Sequence, residues 1–324
     1  NTPRLASEGN RLLEMTEYLD KQFTLSKFRI GSEMNNWKKT FSKEFDIRLF
    51  EEIKSLNKSV FKNDHVIFQL FELLFQLFQT TEKDLVFDEL KSVFSNHFDR
   101  LRSFDQSLFL TQLINFAIRK INAGESSFYK EALDLYKIGL ETDLVLRDGS
   151  IDEAVYGNIA LLGCHAQEFE WVENFMSKYK GYLKKEVRED AYELNRGLWF
   201  FHQNDFDRAR DQFMNYAFSQ KFQPKARANL LVTLYEQFIM DFSLFDLLVS
   251  QMSAFEKYLH RNALMGDVQK EPYFNFISAL KKLSSGIFQN KKTRKLKDSL
   301  ENQIAAKPKM IGKSWLLKKI ENLN

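Results

Sequence analysis

Two histidines at matching places in neighbouring segments are the residues best spaced for shared chemistry. His165 and His202 lie 37 residues apart, so on stacked helical hairpins they would face one another across a groove. Such a pair could share a metal ion. The sequence has no HExxH or HxH pattern, however, and only one cysteine, so it lacks a zinc signature. We interpret both histidines as partly buried groove residues and predict no metal and no cofactor.

The chain also lacks the common patterns for nucleophilic catalysis and phosphate binding. No GxxxxGK[ST], GxGxxG or GxSxG stretch occurs. Cys164 and His165 are adjacent, and neighbours one apart on a helix point in different directions, so they do not form a catalytic dyad. Two carboxylate pairs fall at predicted hairpin turns, where they favour the positive N-terminus of the next helix: Glu168 with Glu170, and Asp205 with Asp207. We predict that the chain is not an enzyme.

The composition points to an array of helices. At 324 residues the chain exceeds a typical single domain, and 12 Gly with 4 Pro supply few of the turns that a β-rich fold needs. The 32 Phe recur at helical spacing, which outweighs the weak strand propensity of aromatic residues. The sequence therefore predicts an all-α fold whose core grows by the addition of helices.

Cysteine content and hydropathy indicate where the chain resides. The single cysteine excludes an internal disulfide, so a reducing, cytoplasmic location is expected. Because the sequence starts at Asn1 rather than Met, the sequence is also compatible with removal of a signal peptide. The most apolar run, His65 to Gln79, has 15 residues and contains Glu72, whereas a bilayer span needs about 20 residues. We predict a buried helix there and no membrane span.

Four segments between Leu108 and Val249 share a pattern. Each has an asparagine early in a predicted first helix, at intervals of 43, 37 and 34 residues: Asn115, Asn158, Asn195 and Asn229. Three of the second helices keep apolar residues at i, i+3 and i+7 with a small or short residue in the centre, as in Phe206, Ala209 and Phe213. Together with Gly197 in the first helix, that stripe predicts a tight crossing inside the hairpin.

The third segment, ELNRGLWFFHQNDFDRARDQF (Glu193 to Phe213), is similar to a tetratricopeptide repeat. The residues at that family's spacing are Asn195, Gly197, Phe200, Asp205, Phe206, Ala209 and Phe213. The other copies match more weakly. The resemblance implies a right-handed α-α superhelix of helical hairpins with irregular flanking helices. We predict three regions: an N-terminal helical region packed on the array at 1–107, the repeats at 108–260, and a basic C-terminal helical region at 261–324.

The resemblance also implies a concave groove lined by the first helices. Its partner-binding positions on this chain are Leu161, His165, Leu198, Phe201, His202 and Tyr235. Only Lys225 fits the places where family members grip a terminal carboxylate, so that mode is not expected. We predict a non-catalytic scaffold or adaptor that binds a peptide or partner helix in a mostly apolar groove. The groove is either open or filled by another helix of the chain, such as the C-terminal one.

Charge is unevenly distributed along the chain. Residues 281–320 carry 12 Lys and Arg against 2 acids, whereas residues 140–215 carry 9 against 15. The densest basic positions, which would contact a polyanion, are Lys291, Lys292, Arg294, Lys295 and Lys297. The alternative prediction is therefore a nucleic-acid-associated or regulatory helical protein that uses this region. A solvated basic face explains the same pattern, and the partner and the oligomeric state stay open.

Overall fold

A computed structural model describes residues 2–41, 48, 51–53, 66–79, 83–290, 294–307 and 309–323; in the first helix the side chains of 8–34 are described. Most of these residues are helical, and no β-strand forms within these ranges. Two isolated bridges join Arg147 to Ser150 and Ile151 to Leu183. The all-α fold predicted from composition and periodicity is confirmed.

The described helices follow one another with short connections. In chain order they are α1 (Thr2–Phe41), α2 (Val66–Gln79), α3 (Lys83–Asn96), α4 (Ser103–Asn122), α5 (Phe128–Glu141), α6 (Glu153–His165), α7 (Phe169–Tyr179), α8 (Arg188–His202), α9 (Phe206–Asn215), α10 (Gln223–Met240), α11 (Phe245–Arg261), α12 (Asp267–Phe288), α13 (Arg294–Ala306) and α14 (Lys313–Glu321). Short 3₁₀ turns lie at Phe98–Arg100, Lys180–Tyr182 and Phe242–Leu244.

The chain divides into two compact units, Asn1–Phe128 and Tyr129–Asn324. Each unit has its own buried apolar side chains. The division differs from the three regions expected from the sequence, whose boundaries stay predictions.

Phenylalanine rings form the core of the first unit. Phe28 of α1 meets three rings of α2 at centroid distances of 5.2 to 6.4 Å: Phe68, Phe71 and Phe75. Phe71 also lies 4.9 Å from the ring of Phe109 in α4. Arg29 donates two hydrogen bonds, at 2.9 and 2.7 Å, to the buried carboxylate of Asp105, and this pair ties α1 to α4.

Helix α2 occupies the most apolar run of the sequence and is buried over most of its circumference. Leu70, Phe71 and Leu74 have no exposed surface, whereas Gln69 and Gln76 face solvent. The predicted buried helix is therefore confirmed. Among the described helices, none has both the length and the hydropathy needed to cross a bilayer.

Helices α6 and α7 form an antiparallel hairpin in the second unit. Near the turn, Gly163 lies against Val172, and at the far end the Tyr156 hydroxyl donates to the Met176 carbonyl at 2.9 Å. A β-carbon at Gly163 would overlap Val172, so the hairpin depends on the missing side chain. This glycine was not singled out from the sequence, because Ala160 holds the place equivalent to Gly197.

Helices α8 and α9 form the next hairpin, and here the predicted tight crossing is confirmed. A β-carbon at Gly197 would come within 2.5 Å of the Phe213 ring. Asp205 caps α9 by accepting a hydrogen bond from the Arg208 backbone N–H at 3.2 Å. Ala209 lies fully buried in the centre of the second helix.

The two hairpins reverse the order of large and small residues at one interior crossing. Gly163 and Val172 meet in the first hairpin. The equivalent positions, 37 residues later, hold Phe200 and Ala209, and both are buried. The interior of each hairpin is therefore filled by a different arrangement of side chains.

Successive hairpins stack on one another. Helix α8 contacts both α6 and α7, and α10 contacts both α8 and α9. The Trp199 indole of α8 donates to the Phe169 carbonyl of α7 at 2.9 Å. Asn195 is buried between α6 and α8, where its amide donates to the Ala191 carbonyl at 2.7 Å and lies next to Gly157. Asn195 is thus a packing residue.

Candidate functional site

The stacking of α6, α8 and α10 leaves a hollow of about 370 Å³ against α12. Of the predicted groove residues, Leu161 and Leu198 line it. The other lining residues are Glu153, Ala154, Gly157, Asn158, Leu194, Asn195, Phe222, Lys225, Ala228, Asn229, Val232, Tyr273, Phe276, Ile311 and Gly312. The volume is typical of a pocket for a small ligand or a few side chains.

The C-terminal segment closes one end of this hollow. The Trp315 indole donates to Glu236 Oε1 at 2.8 Å, and Lys319 Nζ donates to Glu236 Oε2 at 2.6 Å. The ring of Trp315 meets Tyr235 edge-on at 5.1 Å. Tyr235 is 2% exposed, so this predicted partner-binding residue is covered by α14. The groove was expected to be either open or filled by another helix of the chain. In the structure α14 fills the part next to Tyr235, and the rest is the hollow.

The predicted histidine pair is brought together outside the hollow. The rings of His165 and His202 meet edge to face at 4.7 Å, and His165 also stacks on Tyr129 at 4.1 Å. Phe201 lies against His202 at 5.5 Å. These rings form an aromatic cluster at the turn end of the hairpins.

Both imidazoles of this cluster favour the neutral form. Burial, with the neighbouring charge of His165, lowers the pKa of His202 to about 4. The pKa of His165 is lowered as well, first by desolvation where its ring stacks and then by Lys318 of α14. His165 keeps an exposed edge, and a lowered pKa makes an imidazole a weaker general base.

The remaining candidates for chemistry are held in structural roles. Burial raises the pKa of the Cys164 thiol to about 12, so the thiolate needed for nucleophilic attack does not form near neutral pH. Glu168 makes ion pairs with Lys130 and Lys137 of α5 and does not cap α7 with its side chain. Across the described residues, no group of three or more His, Cys, Asp or Glu side chains is placed to hold a metal ion.

The hollow carries one unbalanced positive charge at its rim. Glu153 at the start of α6 forms an ion pair with Lys221, which lies in the loop before α10. Lys225 is exposed at the same rim, and none of the described carboxylates pairs with it. Elsewhere the lining is uncharged.

Several lining residues were missed by sequence reasoning. Tyr273 and Phe276 come from α12, and Ile311 and Gly312 from the turn before α14. The Asn275 side chain fixes that turn by donating to the Lys309 carbonyl at 2.9 Å. Apolar spacing marks α12 as a helix, but it carries no information about which helices α12 packs on.

The predicted basic positions are only partly described. Lys291 and Lys292 lie outside the described residues. Arg294 and Lys295 are exposed in the first turn of α13. Lys297 is half-buried and donates to the Glu321 carbonyl at 3.3 Å, so it contributes to the packing of α14.

No known protein family has a model that matches this sequence, and comparison with curated proteins and with solved structures gives no match either.

Proposed function

We propose that the chain is a non-catalytic scaffold or adaptor that binds a peptide or partner helix in the hollow between α6, α8, α10 and α12. The observation that carries the proposal is the lining itself. Leu161, Leu198 and Val232 come from three successive first helices and form one half-buried apolar surface. An apolar surface of this kind takes apolar side chains from a partner.

The charge at the rim defines the partner further. Among the described residues no carboxylate pairs with Lys225, so an acidic group of the ligand would gain a charge-assisted hydrogen bond there. Because α14 covers Tyr235, the binding segment is short and ends before that residue. We propose a ligand with two or three apolar side chains next to one acidic residue.

A phage-displayed random peptide library panned against the whole chain tests this function. We expect enriched sequences that combine apolar residues with Asp or Glu, and we expect Leu198→Glu to weaken a selected peptide at least tenfold in fluorescence anisotropy. Lys225→Glu should shift the selection towards basic residues, since the sign of the rim charge is reversed.

The matched control for the peptide experiment is Leu264→Glu. Leu264 is exposed and lies outside the hollow, so the same charge is added without touching the lining. Equal loss of binding in both variants, or no enrichment at all from the library, would rule the hollow out as the binding site. Circular dichroism establishes that each variant keeps its helix content.

We further infer that the hairpins are tetratricopeptide-like and follow a right-handed superhelix. Two features support this inference: the antiparallel hairpins with Gly197 against Phe213, and the contacts of α7 with α8 and of α9 with α10. A cytoplasmic location is part of the same proposal.

The exposed start of α13 supports an alternative function. The side chains of Arg294 and Lys295 face solvent and are available to phosphate groups. We propose polyanion binding as the second candidate, with the groove then serving a structural role.

A further inference from the structure

Helix α1 carries two apolar faces, and within the described part of the chain only one of them is covered. Phe28 and Ser32 are buried against the rest of the first unit, with Thr24 one turn before them. The opposite face holds five apolar side chains that are between 50% and 65% exposed: Leu12, Met15, Leu19, Phe23 and Ile30. Side chains 8–20 are all exposed, so this half of the helix lies free of the core.

A helix without tertiary packing is marginally stable in water. Most helices in proteins are stabilised by burying one apolar face, and an isolated helical stretch of about 12–15 residues or fewer, such as residues 8–20, is only marginally stable. The stretch from Leu12 to Ile30 extends over roughly 27 Å at the rise of an α-helix. The exposed face is therefore long enough to pair with another helix, and such pairing would stabilise it.

The exposed face has the spacing of a coiled-coil seam. Its positions alternate by four and three residues: Leu12, Thr16, Leu19, Phe23, Ser26 and Ile30. The two hydroxyls are satisfied within α1, because Thr16 donates to the Leu13 carbonyl at 2.7 Å and Ser26 donates to the Gln22 carbonyl at 2.8 Å. They can enter an apolar contact without an unpaired donor.

The seam is also palindromic. Its mirrored pairs are Leu12 with Ile30, Thr16 with Ser26, and Leu19 with Phe23. Two antiparallel copies of α1 centred on Lys21 would place apolar residues opposite apolar residues and hydroxyls opposite hydroxyls. We propose that this face of α1 binds a second copy of the same chain as an antiparallel helix pair, with two-fold symmetry.

The area involved sets the strength of the pair. Each of the five half-exposed side chains offers about 100 Å², which is half of what a large apolar side chain buries in full. The seam together with Met15 thus buries on the order of 500 Å² per copy, compared with about 800 Å² in a standard interface. The dimer is therefore weak and depends on protein concentration.

Sedimentation equilibrium of the whole chain tests the pairing. The mass rises with concentration from 38.4 kDa towards twice that value. Leu12→Glu and Ile30→Lys each abolish the rise, because a charge is placed opposite an apolar side chain. The double variant recovers it, since antiparallel pairing puts each introduced carboxylate opposite an introduced ammonium group of the other copy. Leu264→Glu is the matched control, with a similar exposure outside the seam.

Cross-linking gives a second measurement that does not depend on charge. Thr16→Cys and Ser26→Cys chains are mixed and oxidised; Cys164 is buried and does not interfere. We expect the mixture of the two variants to form a disulfide-linked dimer, whereas either variant alone forms little dimer. A constant mass of 38.4 kDa for the unaltered chain, a double variant that stays monomeric, or preferential cross-linking of Thr16→Cys to itself would each overturn the proposal.

Discussion

At the scale of single residues, missing side chains decide how the helices cross. Gly197 and Gly163 let their hairpins close because a β-carbon at either place would overlap Phe213 or Val172. Asn195, a repeat position in the sequence, and Cys164, the single cysteine, are both buried in the packing of the helices. The pattern around Gly197 could be predicted because its partners lie at fixed spacing, whereas Gly163 was not singled out because Ala160 holds the place equivalent to Gly197.

Substitution of Gly197 tests the tight crossing. Gly197→Ala should lower the free energy of unfolding by about 1–2 kcal/mol, because overpacking outweighs the gain in helix propensity. Gly181→Ala is the control, as no heavy atom lies within 4 Å of its β-carbon position. Urea unfolding measures both, and Phe213→Leu added to Gly197→Ala should recover part of the loss. Equal stability of the two alanine variants would contradict the crossing.

The buried imidazole of His202 predicts a pH dependence of stability. Its pKa is about 4 in the folded chain and near 6.5 when unfolded, so the unfolded chain binds a proton first as the pH falls. Stability is fully present above pH 6.5 and is lost as the pH falls towards 4. Between pH 7 and 5.5 the free energy of unfolding should drop by about 1.2 kcal/mol through this group.

Urea unfolding of His202→Asn at both pH values checks that assignment. The variant should lose less stability than the parent chain over this interval. The pKa of His165, which faces His202, is lowered as well. Part of the pH dependence of stability therefore remains in the variant. An unchanged slope would mean that His202 is hydrated in the folded chain.

At the scale of helices, periodicity predicted what each segment is but not where it packs. The helices and the hairpin between Glu193 and Phe213 follow from local spacing. The covering of Tyr235 by Trp315 joins residues that are 80 positions apart, and no local pattern encodes it. Of the residues that line the candidate site, Leu161 and Leu198 were therefore predicted as groove residues, whereas the closure by α12 and α14 was not predicted.

Removal of α14 tests its role as a cover. A chain that ends at Ala306 loses the buried Leu316 and Ile320, so apolar surface of α10 is exposed. We expect higher fluorescence of an apolar dye and faster amide exchange around Tyr235. Lys318→Ala, at an exposed residue of α14, should leave both unchanged. Full amide protection of α10 in the shortened chain would show that α14 contributes nothing to this site.

At the scale of the whole molecule, opposite charges are concentrated in different parts of the sequence. If the basic C-terminal part binds a polyanion, the affinity for a single-stranded oligonucleotide should fall steeply with salt, with a log–log slope of about −0.7 per phosphate contact. Arg294→Glu with Lys295→Glu should reduce this slope. Lys184→Glu with Lys185→Glu makes the same change at exposed lysines of the acidic part and should not. Binding that is insensitive to salt would remove this alternative.

The reversed order of large and small residues makes the hairpins non-interchangeable. Gly163 with Val172 and Phe200 with Ala209 fill equivalent places from opposite sides. A recombination that joined α6 to α9 would leave a void, and one that joined α8 to α7 would crowd Phe200 against Val172. Each hairpin can therefore be exchanged only as a complete unit, which distinguishes this chain from arrays that lengthen by copying one identical module.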